Sequence, residues 1–211
     1  MSEEKTIRIA VDIGGTFVDA IRLDTQSGQF DLQKSSTTPK QPWVGVMKAL
    51  RDIDPILSRS DTFTHGTTLG LNSLLERKGA KTGIITNQGF RDIFLIGRAN
   101  VPDADMYNFQ YHRPEPLVPR HRIMGVRGRR NHRGEVDQIL NEDDVKDAAK
   151  TLIEKFKVES IAICFLYAYV EPKDERRAAE LITEMYPKAK VSISSDIARE
   201  HREYERTSTT V

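Results

Sequence analysis

The sequence predicts an α/β protein built on a mixed sheet with helices on both faces. Three observations point to this class. The first segments alternate apolar and polar residues with the period of a β-strand, and turn residues separate two of them. Further along the chain, short apolar strands alternate with amphipathic helices, which is typical of parallel sheets. The antiparallel start and the parallel continuation together make the predicted sheet mixed.

The first part of the chain is predicted to form an antiparallel meander. Residues 6–11 alternate apolar and polar side chains, and residues 17–23 and 30–37 form two further predicted strands. The turn sequence Gln-Ser-Gly at 26–28 joins the last two of these strands. Three consecutive strands joined by short turns favour antiparallel neighbours.

Helices and strands alternate after the meander. A helix is predicted to begin at Pro42, and its apolar residues recur at helical spacing: Val46, Leu50, Ile53 and Leu57. A strand at 62–64, a helix at 69–78 that Gly79 ends, and a strand at 82–86 follow. The helix at 69–78 has an apolar stripe formed by three leucines: Leu71, Leu74 and Leu75.

The last part of the chain repeats this alternation. An amphipathic helix is predicted at 143–156, and its inward side is formed by Val145, Ala149, Leu152 and Phe156. A buried strand at 160–165 contains Cys164, which we expect to be inert core. A helix at 174–185 and a strand at 190–194 complete the pattern.

Three segments do not follow this pattern. Residues 97–120 contain four prolines and no sustained periodicity, which indicates a functional loop, an interface or a lid. An arginine-rich segment follows and is interpreted as a solvated hairpin turning at 131–134, with an anion-facing or subunit-facing surface as the alternative. The charged and hydroxyl-rich end, 200–210, is expected to fray, with a polar site as the alternative.

Composition excludes several classes of protein. The 211 residues contain 32 Lys and Arg against 31 Asp and Glu, a net charge of +1, which disfavours a nucleic-acid-binding protein. No apolar run approaches the roughly 20 residues of a membrane span, and no signal-peptide core is visible. The single cysteine cannot form an internal disulfide, and no Cys/His cluster has zinc spacing. We therefore expect a cytoplasmic protein without nucleic-acid or membrane partners.

The segment Asp12–Ile13–Gly14–Gly15–Thr16 between two predicted strands is the strongest motif. Adjacent glycines let backbone N–H groups approach a phosphate that any Cβ would obstruct, and Thr16 adds a hydroxyl donor. Asp12, at the strand end, is a candidate for orienting a metal-bound water or for accepting a proton from a nucleophile. Asp12, Asp19 at the other end of the motif, and His65 are the candidate catalytic residues, and Asp12 is the candidate metal ligand. The motif is neither a P-loop nor a dinucleotide fingerprint, and an ordinary Gly-Gly hairpin turn is the alternative.

The second motif, Thr64–His65–Gly66–Thr67–Thr68, stands where a strand meets a helix. Its hydroxyls, imidazole and glycine beside a helix start predict a site for an anion or a carbonyl. The alternative is that Thr67 or Thr68 only caps the helix. A cap, however, needs neither His65 nor three threonines. Neither motif contains a nucleophile–base pair, so acyl transfer through Ser or Cys is not indicated.

Together these segments resemble the N-terminal region of the hydantoinase A/5-oxoprolinase family. The resemblance covers nearly the whole chain and is carried by five stretches: IAVDIGGTFVD (9–19), FTHGTTLGLNSLLERKGAKTGIITNQGFRDI (63–93), EPLVPR (115–120), AICFLYAYVEPKDE (162–175) and VSISSDIAREHREYERTSTTV (191–211). The chain departs from the family pattern at Val18, where Thr is common, and at Gly70 and Leu71, where THGTTxATN is common. The family continues beyond the ERTSTT motif, so the resemblance implies a fragment of a longer subunit.

The resemblance implies the N-terminal part of an actin-like fold, the fold of acetate and sugar kinases, with ATP and Mg²⁺ as cofactors. It implies that Gly14, Gly15 and Thr16 contact phosphate and that Asp12 and Asp19 serve metal or water. His65, Thr67 and Thr68 are then candidates for binding substrate or phosphate. Residues 1–96 would form a first ATPase-like lobe, 97–140 an insertion with a hairpin, 141–200 further βα units, and 201–211 the start of a next domain.

The resemblance also implies three functions between which the residues do not decide. The favoured one is part of an ATP-dependent ketone carboxylase of the acetophenone type, which phosphorylates the substrate oxygen and uses bicarbonate. The second is an ATP-dependent N-methylhydantoinase or 5-oxoprolinase that opens a cyclic amide. The third is a non-catalytic fragment docked in a multi-subunit complex, since the fragment alone is expected to be inactive. Other subunits of a hetero-oligomer are the expected partners.

Overall fold

A computed structural model describes residues 6–38, 40–54 and 60–211. The chain divides into two compact units, Met1–Gly79 and Ala80–Val211. The sequence-based division placed its first boundary after residue 96 instead. The strand at 82–86, which that division assigned to the first lobe, pairs with strands of the second unit.

The first unit contains a sheet in which three antiparallel strands are followed by a parallel one. Its elements, in chain order, are β1 (Ile7–Ile13), β2 (Phe17–Asp24), β3 (Phe30–Ser36), α1 (Pro42–Ile53), β4 (Ser60–Thr67) and α2 (Leu69–Leu75). The strand order is β3-β2-β1-β4, with β1–β2 and β2–β3 antiparallel and β1–β4 parallel. The predicted meander and the mixed character of this sheet are confirmed.

One face of this sheet forms the core of the first unit. Alternate residues of β1 are buried and pack with residues of β2 and α1: Ile7, Ile9, Val11, Ile13, Val18, Ala20, Ala49 and Leu50. The period-2 pattern produces this directly, because every second side chain of a strand points to the same face. Asp12 lies between two buried residues of β1 and is itself exposed.

The first unit differs from prediction in its helix ends. Leu57, the last predicted apolar position of α1, lies outside the described residues. Helix α2 ends at Leu75 rather than at Gly79, because Arg77 adopts a left-handed conformation with φ of 53°. The three leucines of the predicted apolar stripe are exposed on α2: Leu71, Leu74 and Leu75.

The second unit is built on a parallel sheet. Its strands and helices are β5 (Thr82–Asn87), α3 (Ile93–Ile96), β6 (Ile123–Val126), β7 (Arg129–Arg130), β8 (Val136–Gln138), α4 (Glu142–Lys150), β9 (Ser160–Cys164), α5 (Lys173–Met185), β10 (Lys190–Ile193), α6 (Ser194–Ile197) and α7 (Glu203–Thr210). The sheet order is β10-β9-β5-β6 and every pairing is parallel. The parallel strands therefore form a sheet separate from the meander, not one continuous mixed sheet.

Both faces of the parallel sheet are covered. Ile85, Ile161 and Ile163 pack with α4 and α5 on one face. Cys164 lies on the other face, where burial raises the pKa of its thiol to about 12. The expectation that Cys164 is inert core is confirmed, because a buried thiol with such a pKa holds no thiolate near neutral pH.

The predicted helix at 143–156 forms with a change in winding. Helix α4 starts at Glu142, where the side chain of Asn141 accepts a hydrogen bond from the Asp144 N–H. After Lys150 the chain continues as a π-helical turn, Thr151–Lys155. The apolar residues of this segment recur at ordinary α-helical spacing, so the sequence predicts an α-helix and not this wider turn.

The arginine-rich segment forms the predicted hairpin from β7 and β8. Its arginines and those beside it are held by carboxylates, as in the ion pairs Arg120–Asp92, Arg127–Asp144 and Arg130–Asp174. The distances are 2.6, 2.6 and 2.7 Å respectively. This pairing favours the interpretation as a charged hairpin over an anion-binding surface.

The end of the chain does not fray, so that expectation is wrong. Residues Glu203–Thr210 form α7, and Arg206 on this helix is fully buried. The Arg206 guanidinium donates to the Ser194 hydroxyl at 2.9 Å and to the Phe165 carbonyl at 2.7 Å. A charged side chain satisfied in this way fixes the helix to the second unit. Across the described ranges, no helix has the length and apolarity to cross a membrane.

Candidate functional site

The turn between β1 and β2 is the centre of the candidate site. It is closed by a hydrogen bond from the Gly14 N–H to the Phe17 carbonyl, 2.9 Å long. A Cβ on Gly14 would lie 3.0 Å from the Phe17 carbonyl oxygen, and one on Gly15 would lie 3.3 Å from the Asn72 amide nitrogen. A side chain at either position would crowd these atoms, so the Gly-Gly pair makes a cradle that a side chain would fill.

Two carbonyl groups of this turn accept hydrogen bonds from Thr37. Thr37, just after β3, donates its hydroxyl to the Gly14 carbonyl and its N–H to the Thr16 carbonyl, both at 2.9 Å. Within the described ranges, the N–H groups of Gly15 and Thr16 have no acceptor. Donors left free while neighbouring carbonyls are occupied form a site that can bind an anion.

Two carboxylates lie beside the turn on the exposed face of the sheet. Asp12 and Asp19 are directly opposite each other on β1 and β2, so their side chains share one face. Asp19 pairs with Lys34 of β3 at 3.2 Å, and the Lys34 amine also lies 5.0 Å from the centre of the Phe17 ring. Asp12 has no such cation beside it among the described residues, which leaves it available to a metal ion.

The end of β4 and the start of α2 complete the site. Thr68 donates its hydroxyl to the Ile13 carbonyl at 3.3 Å and its N–H to the same carbonyl at 3.0 Å. The Asn72 side chain in turn donates to the Thr68 hydroxyl at 3.3 Å. Thr68 thus tightens the strand end instead of capping α2 with its side chain. The Thr67 hydroxyl accepts a hydrogen bond from the Leu69 N–H at 3.3 Å.

His65 does not join the carboxylate pair. It is aligned with Val11 in the parallel pairing of β1 and β4, whereas Gly66 is aligned with Asp12. Side chains of aligned residues share a face, so His65 and Asp12 lie on opposite faces of the sheet. Gly66 lies close to Asp12: a Cβ there would be 3.3 Å from the Asp12 carboxylate oxygen.

The donor set fits a magnesium ion shared with a phosphate better than a metal held by protein alone. No group of three or more His, Cys, Asp or Glu that could hold a metal occurs in the described part of the chain. Mg²⁺ is commonly held by one or two carboxylates together with substrate phosphates and water. Asp12 and Asp19 beside free N–H groups match that arrangement.

Comparison with known proteins assigns the chain to a family. Residues 8–186 match the family model of the hydantoinase/oxoprolinase N-terminal region. The chain is a member of the hydantoinase/oxoprolinase family. This family membership confirms the resemblance that the motifs predicted.

Three relatives of this family member have named activities. The gamma subunit of acetophenone carboxylase from Aromatoleum aromaticum is 32% identical over 96% of this chain and 30% of its own length. The nucleotide-free structure of an ATP-dependent acetone carboxylase has a TM-score of 0.84, 32% identity, and coverage of 96% of this chain and 31% of its own. The ATP-dependent caprolactamase from Pseudomonas jessenii has a TM-score of 0.78, 31% identity, and coverage of 96% and 30%.

These similarities confirm the predicted fold class. The chain has the mixed α/β architecture of the N-terminal part of the actin-like fold, which is the fold of acetate and sugar kinases. The chain spans about 30% of the length of each of these three relatives.

The structure shows three residues at this site that the sequence analysis did not predict: Asn72, Thr37 and Lys34. Asn72 lies four residues after Thr68, which is about one helical turn. A predicted helix start at Leu69 therefore already places the Asn72 side chain beside Thr68. No sequence motif or spacing links Thr37 or Lys34 to this turn. They reach the turn only through the β2–β3 pairing, in which Lys34 is opposite Asp19.

Proposed function

We propose that this chain supplies the first phosphate-binding half of an ATP site in a larger enzyme. The observation that carries the proposal is the β1–β2 turn, in which two N–H groups are free beside a glycine cradle. Phosphate oxygens accept hydrogen bonds from Gly15 and Thr16 N–H groups and from the Thr16 hydroxyl. The Gly14 backbone gives the close approach that these contacts need.

Asp12 is the proposed Mg²⁺ ligand, either directly or through a bound water, and Asp19 supports it. When bound, the ion supplies positive charge that offsets the charge on the β- and γ-phosphates. Lys34, paired with Asp19, keeps the second carboxylate from repelling the phosphates. Thr68 and Asn72 hold the β1 end and the cradle in place, and Thr67 stands at the same edge. We leave His65, on the other face, as a candidate contact for substrate.

The proposed reaction transfers the γ-phosphoryl group to a carbonyl-derived oxygen of the substrate. A new P–O bond forms at that oxygen, the bond to ADP breaks, and ADP leaves with the electron pair. For a ketone the α-carbon loses a proton, so that the product is an enol phosphate ready for carboxylation with bicarbonate. This class of substrate is favoured because the acetone carboxylase structure has a higher TM-score with this chain than the caprolactamase structure has, 0.84 against 0.78.

Opening of a cyclic amide is the second candidate function. It is supported by the caprolactamase structure, which matches the chain almost as well as the acetone carboxylase does. In this case the amide oxygen receives the phosphoryl group, and water then attacks the activated carbon. The C–N bond breaks with the amine as leaving group, which opens the ring, and the phosphoryl group leaves as inorganic phosphate. Both functions use the same phosphate site. We further propose that the enzyme contains other subunits, as the names of the relatives indicate.

An assay of ATP hydrolysis in the natural-length protein with its partner subunits separates the two functions. Ketones with and without bicarbonate, hydantoins, 5-oxoproline and caprolactam are offered as substrates. A ketone carboxylase releases phosphate with a ketone and fixes labelled bicarbonate into the product, whereas a cyclic amidase responds to the amides without bicarbonate. The variant Asp12→Ala is expected to abolish the substrate-dependent rate in either case, and Asp52→Ala, on the exposed side of α1, is the control. A rate that survives in Asp12→Ala contradicts the proposed site.

A further inference from the structure

Three large apolar side chains are exposed on one short loop of the second unit. The loop, residues 102–111, lies in the irregular segment that follows α3. Met106 is 57% exposed, Tyr107 is 88% exposed, and Phe109 is fully exposed. Single exposed apolar residues are ordinary on a protein surface, whereas a cluster of them marks a site of contact with another molecule. The proposed ATP site consists of residues of the first unit and makes no use of this loop.

The loop holds its shape through its own hydrogen bonds. The N–H groups of Asp105 and Asn108 donate to the carbonyls of Pro102 and Asp105 at 2.8 and 3.0 Å. The Asn108 side chain donates to the Asp105 carboxylate at 2.9 Å and accepts a hydrogen bond from the Gln110 N–H at 3.0 Å. A loop fixed in this way presents its apolar side chains before a partner arrives, so association needs little further ordering of the chain.

The loop is also acidic. Residues 102–111 contain two carboxylates, Asp103 and Asp105, and no Lys or Arg. Asp103 is exposed, and neither carboxylate forms an ion pair within the described ranges. Opposite charges at the rim of an interface speed association and favour the correct partner. A surface that receives this loop is therefore expected to carry Lys or Arg at its rim.

A second copy of this chain is disfavoured as the partner. A symmetric contact through the loop would bring the carboxylates of two copies together, and like charges that face each other oppose association. A groove beside α5 could receive the loop on a second copy, but its lining carries three carboxylates against one arginine: Glu180, Glu184 and Asp196, with Arg176. The acidic loop would meet a surplus of negative charge there as well.

We infer that the 102–111 loop docks into an apolar pocket of a different subunit, and that Lys or Arg side chains form the rim of this pocket. Phe109 is the main anchor and Tyr107 and Met106 add to it, because aromatic side chains and methionine are enriched where protein chains meet. The inference rests on the part of the proposed function that places other subunits in the enzyme. It adds where on this chain one of them binds and what its binding surface consists of.

Photo-crosslinking in the complete enzyme tests where the loop binds. The natural-length protein is prepared with its partner subunits and with p-benzoylphenylalanine in place of Phe109. We expect ultraviolet light to join position 109 to a different subunit, at a peptide that contains apolar residues together with Lys or Arg. The same amino acid in place of Ile139, which is 81% exposed, is the control and is not expected to label that peptide. No crosslink, a crosslink within the same chain or to a second copy, or equal labelling from position 139 contradicts the inference.

Variants of the loop test which side chains bind. Phe109→Ser and Tyr107→Ser remove exposed rings, so the fold is expected to persist and the association of the subunits to weaken about tenfold or more, measured by analytical ultracentrifugation. Asp103→Lys is expected to slow association about threefold to tenfold at low salt. Gln110→Ser is the matched control, because Gln110 is exposed on the same loop and its hydrogen bond comes from the backbone N–H. Unchanged association in both Phe109→Ser and Tyr107→Ser overturns the inference.

ATP hydrolysis by the same preparations keeps this inference separate from the proposed ATP site. If the enzyme hydrolyses ATP with its substrate while Phe109→Ser assembles as tightly as the original protein, the docking loop is wrong and the ATP site stands. If position 109 labels a different subunit as expected while no substrate stimulates ATP hydrolysis, the proposed function is wrong and the docking loop stands.

Discussion

At the scale of single residues, a buried polar network joins two opposite charges, Glu175 and Arg206, through the hydroxyl of Ser194. Glu175 is fully buried and accepts hydrogen bonds from the hydroxyls of Ser194 at 2.6 Å and Ser195 at 2.8 Å. Arg206, also fully buried, donates to the same Ser194 hydroxyl at 2.9 Å. Burial raises the pKa of Glu175, while these hydrogen bonds oppose the shift. The network is satisfied only while every member is present.

Removing Arg206 is therefore expected to be costly. The variant Arg206→Ala leaves the Phe165 carbonyl without its side-chain donor and leaves Glu175 without a nearby cation. We expect a loss of about 3–5 kcal/mol in the free energy of unfolding, measured by denaturant titration. The control is Arg199→Ala, because Arg199 is exposed and, among the described residues, donates only to the carbonyls of Tyr169 and Val170. A loss in Arg206→Ala no larger than that of the control would show that the network does not stabilise the fold.

At the scale of secondary-structure elements, α1 and β3 set the position of Thr37 and hence of the turn. Gly45 on α1 faces the Ser36 carbonyl, and a Cβ at this position would lie 2.6 Å from that oxygen. The Ser35 hydroxyl donates to the Gly45 carbonyl at 2.7 Å. The atom nearest to such a Cβ belongs to the backbone, which cannot move aside as a flexible side chain can. Helix α1 can therefore pack this closely on β3 only with glycine at position 45.

Two glycine-to-alanine changes in helices should consequently have opposite effects. Gly45→Ala is expected to destabilise the protein by about 1–3 kcal/mol, because the added methyl group meets backbone. The new methyl group of Gly70→Ala on α2 meets no other described part of the chain within 4 Å, so this variant is expected to gain about 0.5–1 kcal/mol from helix propensity. Thermal or denaturant unfolding of both variants checks the signs. Equal effects in the two variants would contradict the close packing of α1 on β3.

The start of α4 gives a prediction about pH. Arg127 forms hydrogen bonds to Asp144 from its side chain and its N–H, which lowers the pKa of that carboxyl to about 2. A carboxyl whose pKa is lower in the folded state than in the unfolded state stabilises the protein above the unfolded value, near 4. That contribution is lost as the pH falls from about 4 towards about 2.

The variant Asp144→Asn should isolate this contribution. The difference in unfolding midpoint between the original chain and Asp144→Asn is expected to be positive at pH 7 and to shrink as the pH falls through this window. Asp147→Asn on the same helix is the matched control, because Asp147 is exposed and has no ion pair in the described part of the chain. A difference that stays constant down to pH 2 would contradict the role of Arg127.

Elements were predictable where local pattern decides them. The β1–β2–β3 meander and the strand at 82–86 follow from alternation and apolar runs, which act within a few residues. The end of α2 was not predictable, because residue type does not require the left-handed conformation of Arg77. The π-turn after α4 was not predictable, because the apolar residues there recur at ordinary α-helical spacing. Helix α7 was missed because its burial depends on Ser194 and Phe165, which are distant in sequence.

At the scale of the whole molecule, the site was predictable in part. Gly14 and Gly15 are adjacent in sequence, and the need for close backbone approach can be read from residue type alone. The contribution of Thr37 arises from the pairing of β2 with β3, and that of Asn72 from the parallel pairing of β1 with β4. The separation of His65 from Asp12 depends on the register of that same pairing. Register between distant strands is a property of the assembled sheet and not of either segment.

The most direct test of the proposed phosphate cradle is the affinity for ATP and Mg²⁺, measured by calorimetry on the natural-length protein and two glycine variants. Gly15→Ala places a methyl group in the cradle, 3.3 Å from the Asn72 amide nitrogen, whereas the methyl group of Gly79→Ala meets no other described residue within 4 Å. We expect Gly15→Ala to weaken ATP binding about tenfold or more and Gly79→Ala to leave it unchanged. If Gly15→Ala folds and binds ATP as tightly as the original protein, the β1–β2 turn is not the phosphate site.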